Sequence, residues 1–293
     1  MGCGPCNREG RKERAMLYLS PAITVYCCVL AGVFGACMGS FLNCMAWRIV
    51  HGESVLRGRS HCDECGHVLT AGDLVPVFSY AFHRGRCRWC GAKLSVRHVL
   101  AELVTAAVFV ALLLRYDISL QTLEYAIFAC ILLASAFADL EGYMIPDRFI
   151  LTGFIVRIAF VFLLPDWEHD LPDAALGGFA VGGGLLAVVL LYEKLRGVEA
   201  MGGGDVKLVF LTGLYLGWKR NLLCLLLACV IGIVFGLIAQ LRRAKPEAQD
   251  APRAENEPED PKLFPWGPSI CAAAIITLLW GGKLIEAYLG LFT

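Results

Sequence analysis

Long apolar runs constrain this chain more than any other feature. About eight stretches carry almost no charge, near residues 21–47, 99–114, 120–138, 149–164, 174–192, 206–218, 221–241 and 266–282. Such runs lack the polar face of a soluble helix. They predict bilayer-crossing helices, in which each backbone amide is bonded within its own segment. Only 18% of the residues are charged, against about 25% in ordinary soluble domains. The stretches near 99 and 206 are shorter than the usual ~20-residue span. The first stretch is long and has no small-residue cleavage site behind a short core, which predicts a retained anchor and not a removed signal peptide. The expected fold is an all-α polytopic membrane protein with about eight transmembrane helices.

Basic residues in the connecting loops set the expected orientation. The loop 48–98 carries Arg48, Arg57, Arg59, Arg84, Arg86, Arg88, Lys93 and Arg97. In an eight-helix arrangement Arg148, Lys194, Arg196, Arg242, Arg243 and Lys245 fall on that same side. The opposite side holds Arg115, the acidic "PDWEHDLPD", Lys219 and Arg220. This bias puts 48–98 in the cytoplasm and both termini outside, against the weaker pull of the N-terminal "REGRKER". The formal net charge is zero, so there is no electrostatic case for a nucleic-acid partner.

The expected organisation is a tail (1–20), a first membrane helix (21–47), a cytoplasmic insert (48–98), a membrane core (99–242), a disordered loop (243–262) and a last helix with the C-terminus (263–293). The loop "RAKPEAQDAPRAENEPEDPK" has no apolar periodicity and enough Pro and charge to stay unfolded. The insert contains "CDECG" and "CRWCG", which place Cys62, Cys65, Cys87 and Cys90 as two Cys-x2-Cys pairs. The glycine after each second cysteine lets both thiolates turn onto one ion. Two such knuckles close a tetrahedral sulfur shell suited to Zn²⁺, in a zinc-ribbon-like insert too small for a large core of its own. Two redox dithiols, or accidental spacing, are the alternatives. Most other cysteines lie in apolar runs, where they act as small hydrophobes. "CGPC" at Cys3–Cys6 has the spelling of a redox motif without the βαβ pattern such a motif needs. An "MGC" start without Ser or Thr at position 6 departs from the myristoylation pattern.

Acids beside membrane spans are costly and usually functional. Asp139 is the first charge after the third apolar run. Asp205 opens the sixth, directly after Gly202, Gly203 and Gly204. Both are expected at cytoplasmic helix ends, at one depth. The glycines permit positive φ and close approach of a peptide or helix, and the N-terminal dipole favours a charge on Asp205. Two carboxylates sharing a site do not both ionise easily. One can then activate water while the other polarises a peptide carbonyl. Simpler roles compete for the neighbouring charges. Asp147 and Arg148 read as an interfacial helix start and Glu141 as a solvated loop residue. Lys207 reads as a snorkelling side chain or a partner of Asp205, and Arg157 as a cation facing the bundle interior or water.

The motifs together resemble the bacterial type IV prepilin leader peptidase / N-methyltransferase family. "GSFLNCMAWR" (39–48) is similar to its first-span signature, and residues 61–102 to the insert of its bifunctional members. "ADLEGYMIPD" (138–147) resembles its first aspartate motif, "MGGGDVKL" its Gly-x-Gly-Asp motif, and "FPWGPSI" (264–270) its element before the last helix. The resemblance runs in order from about 39 to 282. It implies an aspartic peptidase in the bacterial cytoplasmic membrane with catalytic Asp139 and Asp205. The glycines and Lys207 would belong to its substrate groove. It would cut prepilins or pseudopilins after the glycine ending a basic leader, on the cytoplasmic side. Bifunctional members then methylate the new N-terminus from S-adenosylmethionine, an activity associated with the zinc-binding insert and its neighbourhood, including Glu102. Two departures stand out: Arg97 is followed by "HVLAE" without the family's proline, and "IV" replaces the proline after Arg48. Residues 1–20 and 243–262 lie outside the pattern. A cation-coupled transporter is the competing class, with a zinc-containing scaffold and a peptidase lacking methyl transfer as further alternatives.

Overall fold

The computed structural model describes residues 20–55, 57–62, 64–70, 72–164, 167–198, 201–243 and 265–290. The readings on Cys3, Cys6 and the Pro-rich loop lie outside the described residues. The helices are α1 (Pro21–Val50), α2 (Phe78–Phe82), α3 (Val96–Tyr116), α4 (Leu120–Gly142), α5 (Asp147–Leu163), α6 (Trp167–Ala175), α7 (Gly183–Arg196), α8 (Gly203–Arg243) and α9 (Gly267–Leu289). The seven π-helical residues Leu176–Gly182 join α6 to α7. Among the described residues there is no strand, only two isolated β-bridges in the insert.

Six helical stretches in this set are long and apolar enough to cross a membrane. The count falls below eight for two reasons. α5 has 17 residues, and α8 is two legs read as one helix, with non-helical Gly217 (φ 74°, ψ 172°) between them. Side chains demonstrate the reversal. Asn221 accepts a 2.9 Å hydrogen bond from Thr212 Oγ1 and donates to Val209 O at 3.2 Å. Nine and twelve residues of straight helix would separate these pairs by about 13 and 18 Å. The polar tip is buried in protein, as broken membrane helices require: Thr212 and Asn221 are both 0% exposed. The eight apolar runs therefore correspond to eight helical segments.

α4 is central, with Phe128 and Leu132 fully buried. α1 packs on α3 through Gly35 and Gly39, a Gly-x3-Gly stripe of the kind that lets membrane helices approach closely. A Cβ at Gly39 would lie 2.7 Å from Ala101 O and 2.9 Å from Glu102 Cα. The opposite face of α1 exposes Val25, Tyr26, Val29 and Val33, a surface suited to lipid and not to water.

Arg157 faces the bundle interior, as expected, and its partner is a buried acid. Its Nη1 donates to Glu124 Oε1 at 2.7 Å and its Nε to Leu214 O at 2.9 Å. Glu124 is 1% exposed. The pair joins α4, α5 and α8. At one end of the bundle, Arg115 Nε and Tyr116 Oη donate to Leu279 O and Leu278 O of α9. The other end carries the insert, the end of α4 and the starts of α5, α8 and α9.

Candidate active site and metal centre

Asp139 lies in the last turn of α4 and Asp205 in the first turn of α8. The fold brings them together: Ile145 lies against both Gly204, next to Asp205, and Gly267, which abuts Asp139. Gly267 N donates to Asp139 Oδ2 at 2.9 Å, so the first amide of α9 holds this carboxylate. Two helix N-termini thus converge on the pair, α8 carrying Asp205 and α9 capping Asp139, which is the arrangement that favours anionic groups. Asp205 Oδ1 is buried without a protein hydrogen-bond partner. Buried polar atoms ordinarily have one, so this oxygen is free to bind water or a substrate peptide.

The glycines act differently from expectation. Among the described residues, positive φ occurs at other glycines, and Gly202, Gly203 and Gly204 are not among them. Close approach decides the matter at Gly204, where a Cβ would meet Ile145 Cβ at 3.1 Å, whereas Gly203 faces open space. Two other readings are corrected. Glu141 lies within α4, not in a solvated loop, and pairs with Arg97 at 3.3 Å. Lys207 pairs not with Asp205 but with Asp147, at 2.6 Å, because Asp147 starts α5 beside the first turn of α8. Gly267 was visible only as part of "FPWGPSI". Its role depends on a contact made 128 residues away in sequence.

Residues 33–116 match the model of the bacterial peptidase A24 N-terminal domain, and residues 126–237 that of the type IV leader peptidase family. A "Prepilin leader peptidase/N-methyltransferase" of Myxococcus xanthus is 34% identical over 83% of this chain and 70% of its own length. A relative of that name from Bacillus subtilis is 30% identical over 88% of this chain and 96% of its own, and one from Pseudomonas putida 31% over 92% and 94%. The chain belongs to the type IV leader peptidase family. No solved structure matches it.

In this family member the insert gathers the thiols of Cys62, Cys65, Cys87 and Cys90 within 4.8 Å of one another. Cys62 and Cys90 Sγ are 3.9 Å apart, close to the ~3.8 Å edge of a tetrahedron with 2.3 Å Zn–S bonds. The two knuckles repeat one backbone design. Gly66 N donates to Cys62 O and Gly91 N to Cys87 O, with φ of 66° and 72° at the glycines. Positive φ is therefore needed here, after the second cysteine of each pair. The backbone N–H groups of Cys90 and then Trp89 point at the Cys87 thiol and favour its thiolate, the form that a metal requires. The four thiols fit one zinc-sized ion.

Between this insert and the helix ends of the bundle lies a cleft of about 370 Å³. Glu102, 7% exposed, lines it and accepts from Val77 N at 2.7 Å. Phe137 and Glu141 line it from α4, and Asn43 and Trp47 from α1.

Proposed function

We propose that this protein removes the basic leader of prepilin- or pseudopilin-like substrates with Asp139 and Asp205, then N-methylates the amine so exposed. The carrying observation is the convergence of those two carboxylates from α4 and α8, with Gly267 N bonded to one and the other left with a partnerless buried oxygen. The relatives' name supports both activities. The protein is a multi-pass protein of the cytoplasmic membrane. The basic loops on the site's side support an orientation with the site facing the cytoplasm.

One carboxylate takes a proton from a water lying between the pair. The resulting hydroxide attacks the scissile carbonyl carbon while the other carboxyl donates a hydrogen bond to the carbonyl oxygen. Collapse of the tetrahedral intermediate breaks the C–N bond, and the proton passes to the leaving amine. Gly203 leaves room for an extended leader beside Asp205, and Gly204 lets α8 sit against Ile145. The proposed metal of the four thiols is structural Zn²⁺, which would hold the insert folded. S-adenosylmethionine would supply an electrophilic methyl group.

The test is leader removal from a prepilin with a basic leader, Gly and Phe, followed by mass spectrometry on membrane-reconstituted protein. Wild type is expected to cut after the glycine and to add one methyl group when the donor is supplied. Asp139→Asn and Asp205→Asn are expected to lose cleavage by at least a thousandfold while eluting and melting as folded proteins. Cleavage by either folded variant at the wild-type rate would remove that aspartate from the mechanism.

A further inference from the structure

A second hollow, of about 490 Å³, lies between the insert and the last four turns of α1. α1 lines it with Cys37, Phe41, Cys44 and Arg48, spaced four, three and four residues apart and so on one face of the helix. That face points away from α3, because the buried residues Gly35, Gly39, Leu42 and Ala46 lie about half a turn round. Towards the start of α1 the same stripe continues through exposed Val33, Leu30 and Tyr26. On a membrane-spanning helix an apolar stripe of this kind faces lipid. The hollow is therefore the insert end of a lipid-facing strip, with the insert as its second wall.

Its walls are apolar and its charges are of one sign. Phe41 and Met45 of α1 and Leu74 and Pro76 of the insert supply apolar surface. The charged side chains lining it are Arg48 and Arg59, and among the described residues no carboxylate does so. Neither arginine forms an ion pair among those residues. Arg48 Nη1 donates to Val55 O at 3.3 Å, and a Cβ at Gly58 would lie 3.8 Å from its Nη2, so the guanidinium sits beside the peptide that carries Arg59. Arg48 is also the first charge after the apolar run of α1, the level at which a basic side chain reaches the headgroups. Cys37 lies about 16 Å further along the helix axis. Cys44 and Ser60, whose Sγ and Oγ are 4.0 Å apart, stand between this hollow and the cleft and face both.

An apolar trough with two arginines at its polar end suits an amphiphile with an anionic head and a hydrocarbon tail. We propose that this hollow holds one anionic phospholipid of the leaflet on the insert's side. Its phosphate lies between Arg48 and Arg59, and an acyl chain runs along Phe41 to Cys37. The chain enters from the lipid-facing strip of α1 and so never leaves the bilayer. The neighbouring part of the insert suits the same surface. Just past Pro76, α2 carries Phe78 and Phe82 on one face, 74% and 85% exposed. The bond from Val77 N to Glu102 holds the start of α2 at the second turn of α3, level with exposed Leu100 and Leu103. Phenylalanines so exposed are costly in water and favourable at the headgroup boundary. A lipid shared by Arg48 and Arg59 thus fastens the insert to α1 on the side away from α3. This role is independent of both activities proposed above.

The decisive measurement titrates full-length, zinc-loaded protein in micelles with phosphatidylglycerol or, separately, phosphatidylcholine. Retained lipid is counted by native mass spectrometry, with zinc content and melting temperature as fold controls. Wild type is expected to hold one phosphatidylglycerol at least tenfold more tightly than phosphatidylcholine. Arg59→Gln, which removes an exposed cation, and Leu74→Asp, which sets an opposing charge in the trough, are each expected to weaken that binding at least tenfold. Lys219→Gln, which removes a cation at the opposite end of the bundle, is expected to bind as wild type does. Equal retention of the two lipids by wild type would overturn the assignment, as would undiminished binding in either folded trough variant or an equal loss in Lys219→Gln. Displacement of the lipid by an equal concentration of glycerol 3-phosphate would overturn it too, by showing a site for phosphate alone.

Discussion

At the scale of single residues, Gly267 carries the sharpest prediction. A Cβ there would sit 2.7 Å from Asp139 Oδ2 and 3.2 Å from Ile145 Cδ1, whereas one at Gly203 meets nothing within 4 Å. Gly267→Ala is therefore expected to displace Asp139 and lower kcat/KM for leader cleavage by about a hundredfold, the usual consequence of a misplacement near 1 Å. Gly203→Ala should leave the fold's melting temperature unchanged, which separates crowding of Asp139 from a general loss of glycine. Steady-state kinetics with one prepilin check the first, and thermal melts of both variants check the second. Asp139 and Asp205 were legible in the sequence because acids at span edges are rare and costly. Gly267 was not, because its only function is a contact with a helix far away in the chain. Glu124 was overlooked for another reason: as the fifth residue of a span it looks interfacial, and only its partner Arg157 reveals that it is buried.

Among elements, the Glu124–Arg157 pair ties α4 to α5, and Arg157 extends the tie to α8 through Leu214 O. Replacing either partner strands a charge in the bundle, which costs about 3 kcal/mol. Glu124→Leu and Arg157→Leu should each lower the thermal midpoint in micelles. The double variant Glu124→Leu/Arg157→Leu should lose less than the sum of the single losses, since it leaves no orphaned charge. Strict additivity would show that the two side chains act independently. The reversal of α8 is just as local in cause. Gly217 takes a backbone conformation open essentially to glycine, and a Cβ there would run into the Asp173 carboxylate. The apolar runs marked two segments here, but their joining through a buried Thr212–Asn221 bond, not an exposed loop, was hidden. Hydropathy registers how much charge a segment carries and says nothing of how its polar groups pair.

For the whole molecule, the question is how one chain keeps two chemistries apart. Asp139 and Asp205 are held by α4, α8 and α9, with Gly267 of α9 and Ile145 of the α4–α5 connection packed beside them. The cleft, by contrast, takes one wall from the insert, whose described residues hold no strand and only the five-residue α2, and which relies on four thiols and the Val77–Glu102 bond. Zinc binding to such knuckles is worth about 10–16 kcal/mol of folding energy at neutral pH, far more than so small a piece can gain from burial alone. Stripping the metal with a chelator should therefore dissolve that wall before it disturbs the bundle. The expected outcome is leader cleavage within about twofold of the holoprotein and loss of at least nine-tenths of the methylated product, restored by adding Zn²⁺. Mass spectrometry of the mature substrate reads both activities in one sample. Equal loss of both after chelation would mean that the metal supports the entire bundle and that the insert is no separate module.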